Sequence, residues 1–258
     1  MKFSILTPSY NQGGFIEKNI ISVMNQDWDQ VEHIIIDGGS TDGTIGILRK
    51  YPHLKWVSEP DDGQADALNK GFSMATGDIV GWINSDDFYH EYIFSEVAAC
   101  FGEGGVDWVI GKVTSVYPSS GIVLPRFSPA ITYGNLLKDP NIIRQSPAFF
   151  KRDALAVVGG WNRKYHMAMD YDLWVRLSKK SRPKMVDRDW AFTTHHDRQK
   201  TSPGNTMTQI SDIVDILRRE NVPLVKAHAV TLKKYLYWLR ENLKTGIAGS
   251  GSTHHMFS

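Results

Sequence analysis

Two adjacent carboxylates, Asp86 and Asp87, follow a short apolar run, Ile79-Val80-Gly81-Trp82-Ile83, after Asn84 and Ser85. A run of this length and composition is typical of a buried strand. Carboxylates at the carboxyl end of such a strand lie where open α/β sheets bind their ligands. Paired oxygen ligands there suit Mg²⁺ or Mn²⁺, which commonly share their coordination shell with phosphate. The pattern predicts a metal-bridged substrate that carries phosphate, although Asn84-Ser85-Asp86-Asp87 is also a good turn sequence.

A third acidic residue, Asp170, precedes the apolar stripe of a predicted helix. Leu173, Trp174 and Leu177 recur at helical spacing, and Asp170 lies on their face, three and four residues before the first two. Two roles are open for this carboxylate: it can cap the first turn of the helix, or it can be a base held at the floor of a pocket. Asp172 points away from this face, and we expect it to be solvated or paired.

Two adjacent histidines, His195 and His196, follow a strand-like segment from Met185 to Thr194. Because neighbouring residues of a strand face opposite ways, at most one of the two can join a given site. Neither has the spacing of a zinc motif such as His-Glu-x-x-His.

Alternating strands and helices must position these groups. The strand-like runs are residues 3–7, 33–36, 54–57, 78–83 and 106–113, and amphipathic helical segments separate the first four. This alternation predicts right-handed βαβ units and a parallel sheet. The first four strands end in polar segments that share one edge of that sheet: residues 8–11, 37–42, 59–62 and 84–87. Carboxylates on one rim repel one another unless a cation or hydrogen-bond donors compensate, so we expect a ligand site there.

The composition sets the class of protein. The chain has 258 residues, 41% hydrophobic and 22% charged, as expected for one large globular domain or a domain with a small extension. A formal net charge of +1 gives no field that would attract nucleic acid. The single cysteine, Cys100, excludes an internal disulfide framework. The sequence shows neither a signal peptide nor an apolar run near the ~20 residues of a membrane span, so we expect a cytoplasmic protein.

The C-terminal part predicts two helices. The second, from about Val225 to Lys244, is basic and aromatic. Such a helix can lie on an anionic membrane surface, or it can pack on its own domain with a solvated basic face. We expect the tail from Gly246 to Ser258 to be disordered, and the stretch from Tyr117 to Pro140 to be mobile or to face the substrate.

Taken together, several segments resemble glycosyltransferase family 2 in their order and spacing. They are Thr7-Pro8-Ser9-Tyr10-Asn11, Ile36-Asp37-Gly38-Gly39-Ser40-Thr41-Asp42-Gly43-Thr44, Asp66-Ala67-Leu68-Asn69-Lys70-Gly71, Asn84-Ser85-Asp86-Asp87, Asp170-Tyr171-Asp172-Leu173-Trp174 and His196-Asp197-Arg198-Gln199-Lys200-Thr201. The resemblance covers about residues 2–200. It implies an α/β protein with the GT-A fold, in which helices flank a mostly parallel central sheet. The implied parts are a nucleotide-sugar-binding half (1–115), an acceptor half (116–204) and a C-terminal helical extension (205–258).

The resemblance also implies a role for each matched residue. Asp170 would be the general base that deprotonates the acceptor hydroxyl. The resemblance thus favours the role of a base over that of a helix cap for this residue. Asp86 and Asp87 would be the metal-binding acids, with Asp87 the principal ligand and His196 a ligand to the metal or the diphosphate. The residues implied on the donor side are Pro8, Tyr10, Asn11, Asp37, Asp66, Asn69 and Asp86. Many family members carry a second acid where this chain has Gly38, which leaves the nucleotide open.

The implied reaction is metal-dependent, inverting transfer of a sugar from a nucleotide-diphosphate sugar to a saccharide or lipid-linked acceptor. Mn²⁺ or Mg²⁺ would be the cofactor, and a setting in surface polysaccharide, lipopolysaccharide or glycolipid assembly would fit. Two alternatives remain. A sugar nucleotidyltransferase should carry a basic loop after its first strand, but Pro8 to Gly14 contains no Lys or Arg. A non-catalytic nucleotide-sugar-binding module should lack the acids, yet Asp86, Asp87 and Asp170 are present.

Overall fold

Strands and helices alternate along the chain in the computed structural model, which describes residues 1–117, 122–126, 131–196, 199–200 and 205–245. The strands are β1 (Phe3–Ser9), β2 (Val31–Asp37), β3 (Lys55–Ser58), β4 (Ile79–Trp82), β5 (Phe88–Tyr89), β6 (Trp108–Tyr117), β7 (Ile122–Arg126), β8 (Ala148–Lys151) and β9 (Lys184–Thr194). The helices are α1 (Ile16–Met24), α2 (Thr44–Leu48), α3 (Gln64–Met74), α4 (Phe94–Gly102), α5 (Tyr133–Leu136), α6 (Arg152–Val158), α7 (Met169–Ser178), α8 (Thr206–Arg219) and α9 (Leu224–Thr245).

One mixed sheet runs through the described part of the chain, in the order β3-β2-β1-β4-β8-β6-β9-β5. β7 pairs antiparallel with the C-terminal part of β6. The predicted parallel arrangement is confirmed for β3, β2, β1 and β4. Beyond β4 the pairing changes. β8 is antiparallel to both β4 and β6, and β9 runs parallel to β6. The carboxyl ends of β1, β2, β3 and β4 therefore lie on one edge, as the alternation of elements predicts.

Side chains of alternate residues in the sheet enter separate hydrophobic clusters. Leu6 and Phe150 belong to the cluster that also contains residues of α3, α7 and α8. Their neighbours Ile5 and Phe149 belong to the cluster on the opposite face, with residues of α4. This period of two is that of a strand covered on both faces. At Gly81 a Cβ would come within 2.8 Å of both Ile5 and Phe149, so the absence of a side chain allows this close packing.

The region predicted as a C-terminal extension contributes to the main core. Ile213, Ile216 and Leu217 of α8 are fully buried in the cluster that contains Trp174 of α7. An ion pair reinforces this packing, because Arg219 of α8 contacts the carboxylate of Asp172, which is fully buried. The domain boundary at 204/205 stays a prediction, but it does not separate two hydrophobic cores.

The last helix, α9, is amphipathic. Ala227 and Thr231 face the protein, whereas Val225, Leu232 and Leu236 are exposed. None of the helices in the described ranges is long and apolar enough to span a membrane. The predicted disorder of residues 246–258 lies outside the described residues, as do positions 118–121 and 127–130 of the stretch predicted to be mobile.

Candidate active site

A cleft of about 490 Å³ opens at the carboxyl edge of the parallel strands. Segments from both halves of the chain line it: Pro8, Ser9, Tyr10, Gln12, Asp61, Gly63, Gln64, Ala67, Trp82, Asn84, Ser85, Asp86, Gln145, His166, Met167, Met169, Asp170, Gln199, Lys200 and Gln209. Of the site residues predicted from the sequence, the structure brings Pro8, Tyr10, Asp86 and Asp170 to this cleft. Tyr10 keeps 61% of its surface exposed there, which leaves an aromatic ring free to stack on a planar group.

Asp86, which lines the cleft, pairs with His196, which is not itself part of the lining, and the two form one corner of the site. The Oδ2 atom of Asp86 lies 3.1 Å from Nε2 of His196, and both side chains are largely shielded from solvent. The ring of Phe15 stacks on His196 with the ring centroids 4.3 Å apart, which fixes the plane of the imidazole. His195 instead stacks on Tyr117, so the two adjacent histidines face different surroundings.

Oxygen and imidazole nitrogen together can bind a divalent ion, so the donor set at this corner fits Mn²⁺ or Mg²⁺ in part. Among the residues that the structure describes, no three His, Cys, Asp or Glu side chains stand close enough to hold a metal ion by themselves. Asp86 and His196 would therefore share the ion with oxygens that the protein does not supply, such as those of a phosphate or of water.

Asp87 differs from its neighbour, because it is buried and points into the protein. Its Oδ2 accepts a hydrogen bond from the Ser146 hydroxyl at 2.6 Å, and its Oδ1 accepts one from the Thr194 backbone N–H at 3.0 Å. Burial and the neighbouring charge of Asp86 raise the pKa of Asp87 well above its usual range. In this arrangement Asp87 anchors the acidic loop to β9 and to the segment before β8. Its role as the principal metal ligand stays a prediction.

Asn19 of α1 holds the same loop from the other side. It is fully buried, and its amide donates hydrogen bonds to the backbone carbonyls of Asn84 and Asp87, both at 2.9 Å. Sequence reasoning missed this residue. The available signal was its position on the apolar face of α1, between Ile16 and Ile20, where a polar side chain needs a buried partner.

Asp37 is fully buried and its carboxylate is saturated by its own surroundings. Its oxygens accept hydrogen bonds from the N–H groups of Gly39 and Ser40, from the Ser40 hydroxyl and from the Ser58 hydroxyl. Asn11 likewise joins two loops, since its side chain accepts from the Thr41 N–H at 2.9 Å. Both predicted donor-side residues thus shape the loops behind the cleft and do not line it.

Asp66 and Asn69 of α3 also lie outside the cleft lining. Asn69 bonds both the N–H and the carbonyl of Trp161, at 3.0 and 2.7 Å. Asp66 lies 3.4 Å from both Arg163 and Lys70. In this structure the two residues therefore connect α3 to the segment that leads into α7.

Asp170 is half-buried in the first turn of α7 and lines the cleft. One oxygen accepts from the Tyr171 N–H at 2.7 Å. The N-cap of α7 is Ala168, whose side chain makes no capping hydrogen bond, so Asp170 does not occupy the capping position. Asp172, fully buried, pairs with Arg176 at 2.6 Å and with Arg219. It is thus paired, as one of the two predicted alternatives requires.

Lys200 brings a cation to the cleft that contains these carboxylates. Its ammonium donates to the side chain of Gln64 at 3.2 Å, and Gln64 in turn bonds Asn84 at 2.7 Å. Sequence reasoning missed Lys200, although it lies four residues after His196 in the matched segment. An ammonium group in this position can contact phosphate oxygens.

Comparison with known proteins finds relatives with glycosyltransferase and synthase names. A PGL/p-HBAD biosynthesis glycosyltransferase of Mycobacterium tuberculosis is 27% identical over 259 residues, which cover 92% of this chain and 97% of that protein. The chondroitin synthase of Pasteurella multocida is 27% identical over 194 residues, which cover 72% of this chain and 20% of that protein.

Two solved structures share the fold. The complex of S. aureus TarS 1-349 with UDP-GlcNAc matches 84% of this chain and 65% of its own, with a TM-score of 0.68 and 20% identity. The mannosyltransferase PcManGT from Pyrobaculum calidifontis, in complex with GDP-Man and Mn²⁺, matches 99% of this chain and 76% of its own, with a TM-score of 0.63 and 19% identity. These likenesses establish the GT-A fold. The model of the family described as Glycosyl transferase family 2 matches residues 4–159, more than half of the chain. The chain therefore belongs to glycosyltransferase family 2.

Proposed function

We propose that this glycosyltransferase transfers a sugar from a nucleotide-diphosphate sugar to a hydroxyl of a saccharide or lipid-linked acceptor, with inversion and with a divalent metal ion. The observation that carries the proposal is that Asp86, in contact with His196, and Asp170 line the same cleft. A metal-binding corner and a candidate base are the two groups that such a reaction needs. The complexes of TarS with UDP-GlcNAc and of PcManGT with GDP-Man and Mn²⁺ support it by analogy.

The corner formed by Asp86 and His196 would bind the ion, and Mn²⁺ and Mg²⁺ both suit it. When bound, the ion supplies charge neutralisation for the diphosphate leaving group. The protein contributes further at this end of the cleft, because the Lys200 ammonium can contact the same phosphate oxygens. Asn19 and Asp87 keep the loop that carries Asp86 in place.

Asp170 would act on the acceptor side. Its carboxylate can accept the proton of the acceptor hydroxyl as that oxygen attacks the anomeric carbon. Attack on the face opposite the leaving diphosphate inverts the anomeric centre in one displacement, so an α-linked donor gives a β-linked product. No covalent intermediate on the protein is needed.

We also propose a setting at a membrane surface, in the assembly of a glycolipid or a surface polysaccharide, by a cytoplasmic enzyme. The M. tuberculosis relative named for PGL/p-HBAD biosynthesis supports the setting. The exposed residues Val225, Leu232 and Leu236 form an apolar stripe on α9, whose sequence also carries lysines. Such a helix can insert its apolar face among anionic lipids. Co-sedimentation with anionic vesicles should be lost in Leu232→Glu, and equal sedimentation of the variant would contradict the membrane contact.

The test of the reaction is release of nucleotide diphosphate from a panel of nucleotide sugars, with the purified full chain and with Mn²⁺, Mg²⁺ or EDTA. The proposal expects turnover of one donor class, loss of turnover in EDTA, and a β-linked product from an α-linked donor by NMR. Turnover that persists in EDTA would contradict metal dependence, and an α-linked product would contradict inversion.

A further inference from the structure

Three buried polar side chains connect the interior of the sheet to the acidic loop (residues 84–87). They are His33 of β2, Thr7 of β1 and Asn19 of α1, and each is almost fully shielded from solvent. Nε2 of His33 lies 2.9 Å from Oγ1 of Thr7, and Oγ1 lies 3.4 Å from Oδ1 of Asn19. Buried polar groups need hydrogen-bond partners, so the hydrogen atoms of this buried network must be shared out consistently.

The Asn19 amide determines the direction of these hydrogen bonds. Its Nδ2 group donates to the backbone carbonyls of Asn84 and Asp87, so both amide hydrogens are used. Oδ1 of Asn19 then faces Thr7 and can only accept, which assigns the single hydroxyl hydrogen of Thr7 to Asn19. With that hydrogen used, Oγ1 of Thr7 must accept from His33, so Nε2 of His33 carries a hydrogen.

The surroundings of the His33 ring agree with this direction. A neutral imidazole with its hydrogen on Nε2 has a lone pair at Nδ1, and Nδ1 has no hydrogen-bond partner among the residues that the structure describes. The other tautomer would bury an N–H that has no acceptor, which proteins rarely tolerate. Burial, with a smaller contribution from His53, lowers the pKa of His33 to about 3, so the ring is neutral at pH 7.

We propose that His33 and Thr7 are positioning residues for the metal-binding corner, because they fix the orientation of the Asn19 amide. The inference rests on the proposed function, since the loop that Asn19 holds carries Asp86. The two carbonyls that bind the amide, those of Asn84 and Asp87, lie on either side of Asp86 in the chain. A donor at His33 thus acts on the metal site through two intermediate side chains, without contacting the ion or the substrate.

The first variants change Thr7. Thr7→Val removes the hydroxyl at nearly constant volume, so Oδ1 of Asn19 loses its donor and the amide can turn. We expect the Mn²⁺ concentration for half-maximal binding of UDP or GDP to rise about tenfold, the low end of the effect of removing a hydrogen bond from behind a metal ligand. Thr7→Ser retains the hydroxyl and should keep the Mn²⁺ requirement of the wild type.

The second pair of variants changes His33. In His33→Leu the Thr7 hydroxyl has no donor to orient it and can turn to a backbone carbonyl instead, so the Mn²⁺ requirement should again rise. His33→Gln can place an amide N–H at the position of Nε2 and should restore the wild-type requirement. Because both positions act through one amide, His33→Leu should add nothing in the Thr7→Val background.

Two further measurements separate positioning from a general loss of stability. Val97→Ala is the control, because Val97 is fully buried in α4 and outside the buried network. It should lower the urea midpoint of unfolding and leave the Mn²⁺ requirement unchanged. ¹⁵N NMR of the His33 ring, assigned by its loss in His33→Gln, should show a hydrogen on Nε2 and none on Nδ1 at pH 7.

The outcomes distinguish this inference from the proposed function. If Thr7→Val and His33→Leu lose stability but keep the Mn²⁺ requirement of the wild type, the buried network only stabilises the fold, and the inference is wrong although the metal site stands. A hydrogen on Nδ1 of His33 would reverse the direction of the network and overturn the inference too. If the wild type binds neither UDP nor GDP in Mn²⁺, the proposed function fails and the inference fails with it.

Discussion

The Oδ2 atom of Asp86 lies 3.1 Å from Nε2 of His196, a residue 110 positions away in the sequence. The contact joins the end of β4 to the segment that follows β9, and it completes one corner of the cleft. Asp86 follows β4 and His196 follows β9, so the proposed metal site needs residues from the ends of two different strands. The proposed metal site of this glycosyltransferase therefore requires the mixed second half of the sheet, which includes β9, as much as the parallel first half.

Replacing His196 by Ala should weaken metal-dependent nucleotide binding. The ion would lose its imidazole ligand, and we expect the Mn²⁺ concentration for half-maximal nucleotide binding to rise about tenfold or more. A Mn²⁺ titration of UDP or GDP binding measures it. The matched control is His195→Ala, because His195 stacks on Tyr117 instead of contacting Asp86. Equal effects of the two substitutions would contradict the assignment of His196.

Replacing Asn19 by Ala should loosen the acidic loop. The backbone carbonyls of Asn84 and Asp87 would lose the hydrogen bonds that they accept from the buried Asn19 amide. We expect the free energy of unfolding to fall by about 1–3 kcal/mol, and nucleotide binding to need more Mn²⁺. Urea denaturation and the same Mn²⁺ titration measure the two effects. A variant that loses stability but keeps the wild-type Mn²⁺ requirement would show that Asn19 does not position Asp86.

The buried carboxylate of Asp172 should be a major contributor to stability. It is fully buried and pairs with Arg176 and Arg219. Asp172→Asn removes the carboxylate that Arg176 contacts and leaves Arg219 paired with Glu220 alone. We expect a loss of about 3–5 kcal/mol in the free energy of unfolding, measured in urea at pH 7. Glu17→Gln, which removes a more exposed pair with Lys50, should cost about 1 kcal/mol or less. Similar losses in the two variants would refute this ranking.

Glu32 should make stability depend on pH in the acid range. Burial raises its pKa, but hydrogen bonds from Lys55, Ser4, Thr76 and Lys2 outweigh burial and hold the pKa of Glu32 far below its ordinary value of 4.5. A folded-state pKa below the unfolded value contributes stability above about pH 4.5, which is lost as the pH falls towards the folded value. The wild type should therefore exceed Glu32→Gln in free energy of unfolding by a constant amount from pH 7 to about pH 5. The gap should narrow below about pH 4.5. A gap that stays constant down to pH 3 would disprove the coupling.

The sequence predicts the edge of the sheet where the cleft lies better than it predicts which side chains line it. Alternating apolar strands and helices determine that β1 to β4 end on one side, and Tyr10, Asp61 and Asp86 do meet there. The sequence also shows that Asp37 follows a strand. It does not show that the carboxylate of Asp37 accepts hydrogen bonds from Ser58 of the next strand and from two nearby backbone N–H groups. Whether a carboxylate finds such hydrogen-bond donors within the protein depends on the geometry of the loops. Residue types alone do not determine that geometry.

The second half of the fold was harder to predict for a related reason. β8 has four residues and pairs with β4 and β6, which are distant in sequence, so tertiary packing determines that strand more than local pattern does. The predicted pairing of Asp172 is confirmed, but its burial does not follow from the sequence pattern. Residues around the whole circumference of α7 are buried, since α8 covers the side that a single apolar stripe would leave in water. Asp172 therefore has the predicted ion-pair partners, but its carboxylate is buried.

The assignment of Asp170 as the base is tested by comparing wild type with Asp170→Asn in donor binding and in sugar transfer. The amide retains the shape of the side chain but cannot accept the acceptor's proton. We expect nucleotide-sugar affinity within about twofold of wild type and transfer reduced by about 10²- to 10⁴-fold, the usual contribution of a general base. Transfer at the wild-type rate in a variant that binds donor normally would contradict the assignment of Asp170 and the mechanism built on it.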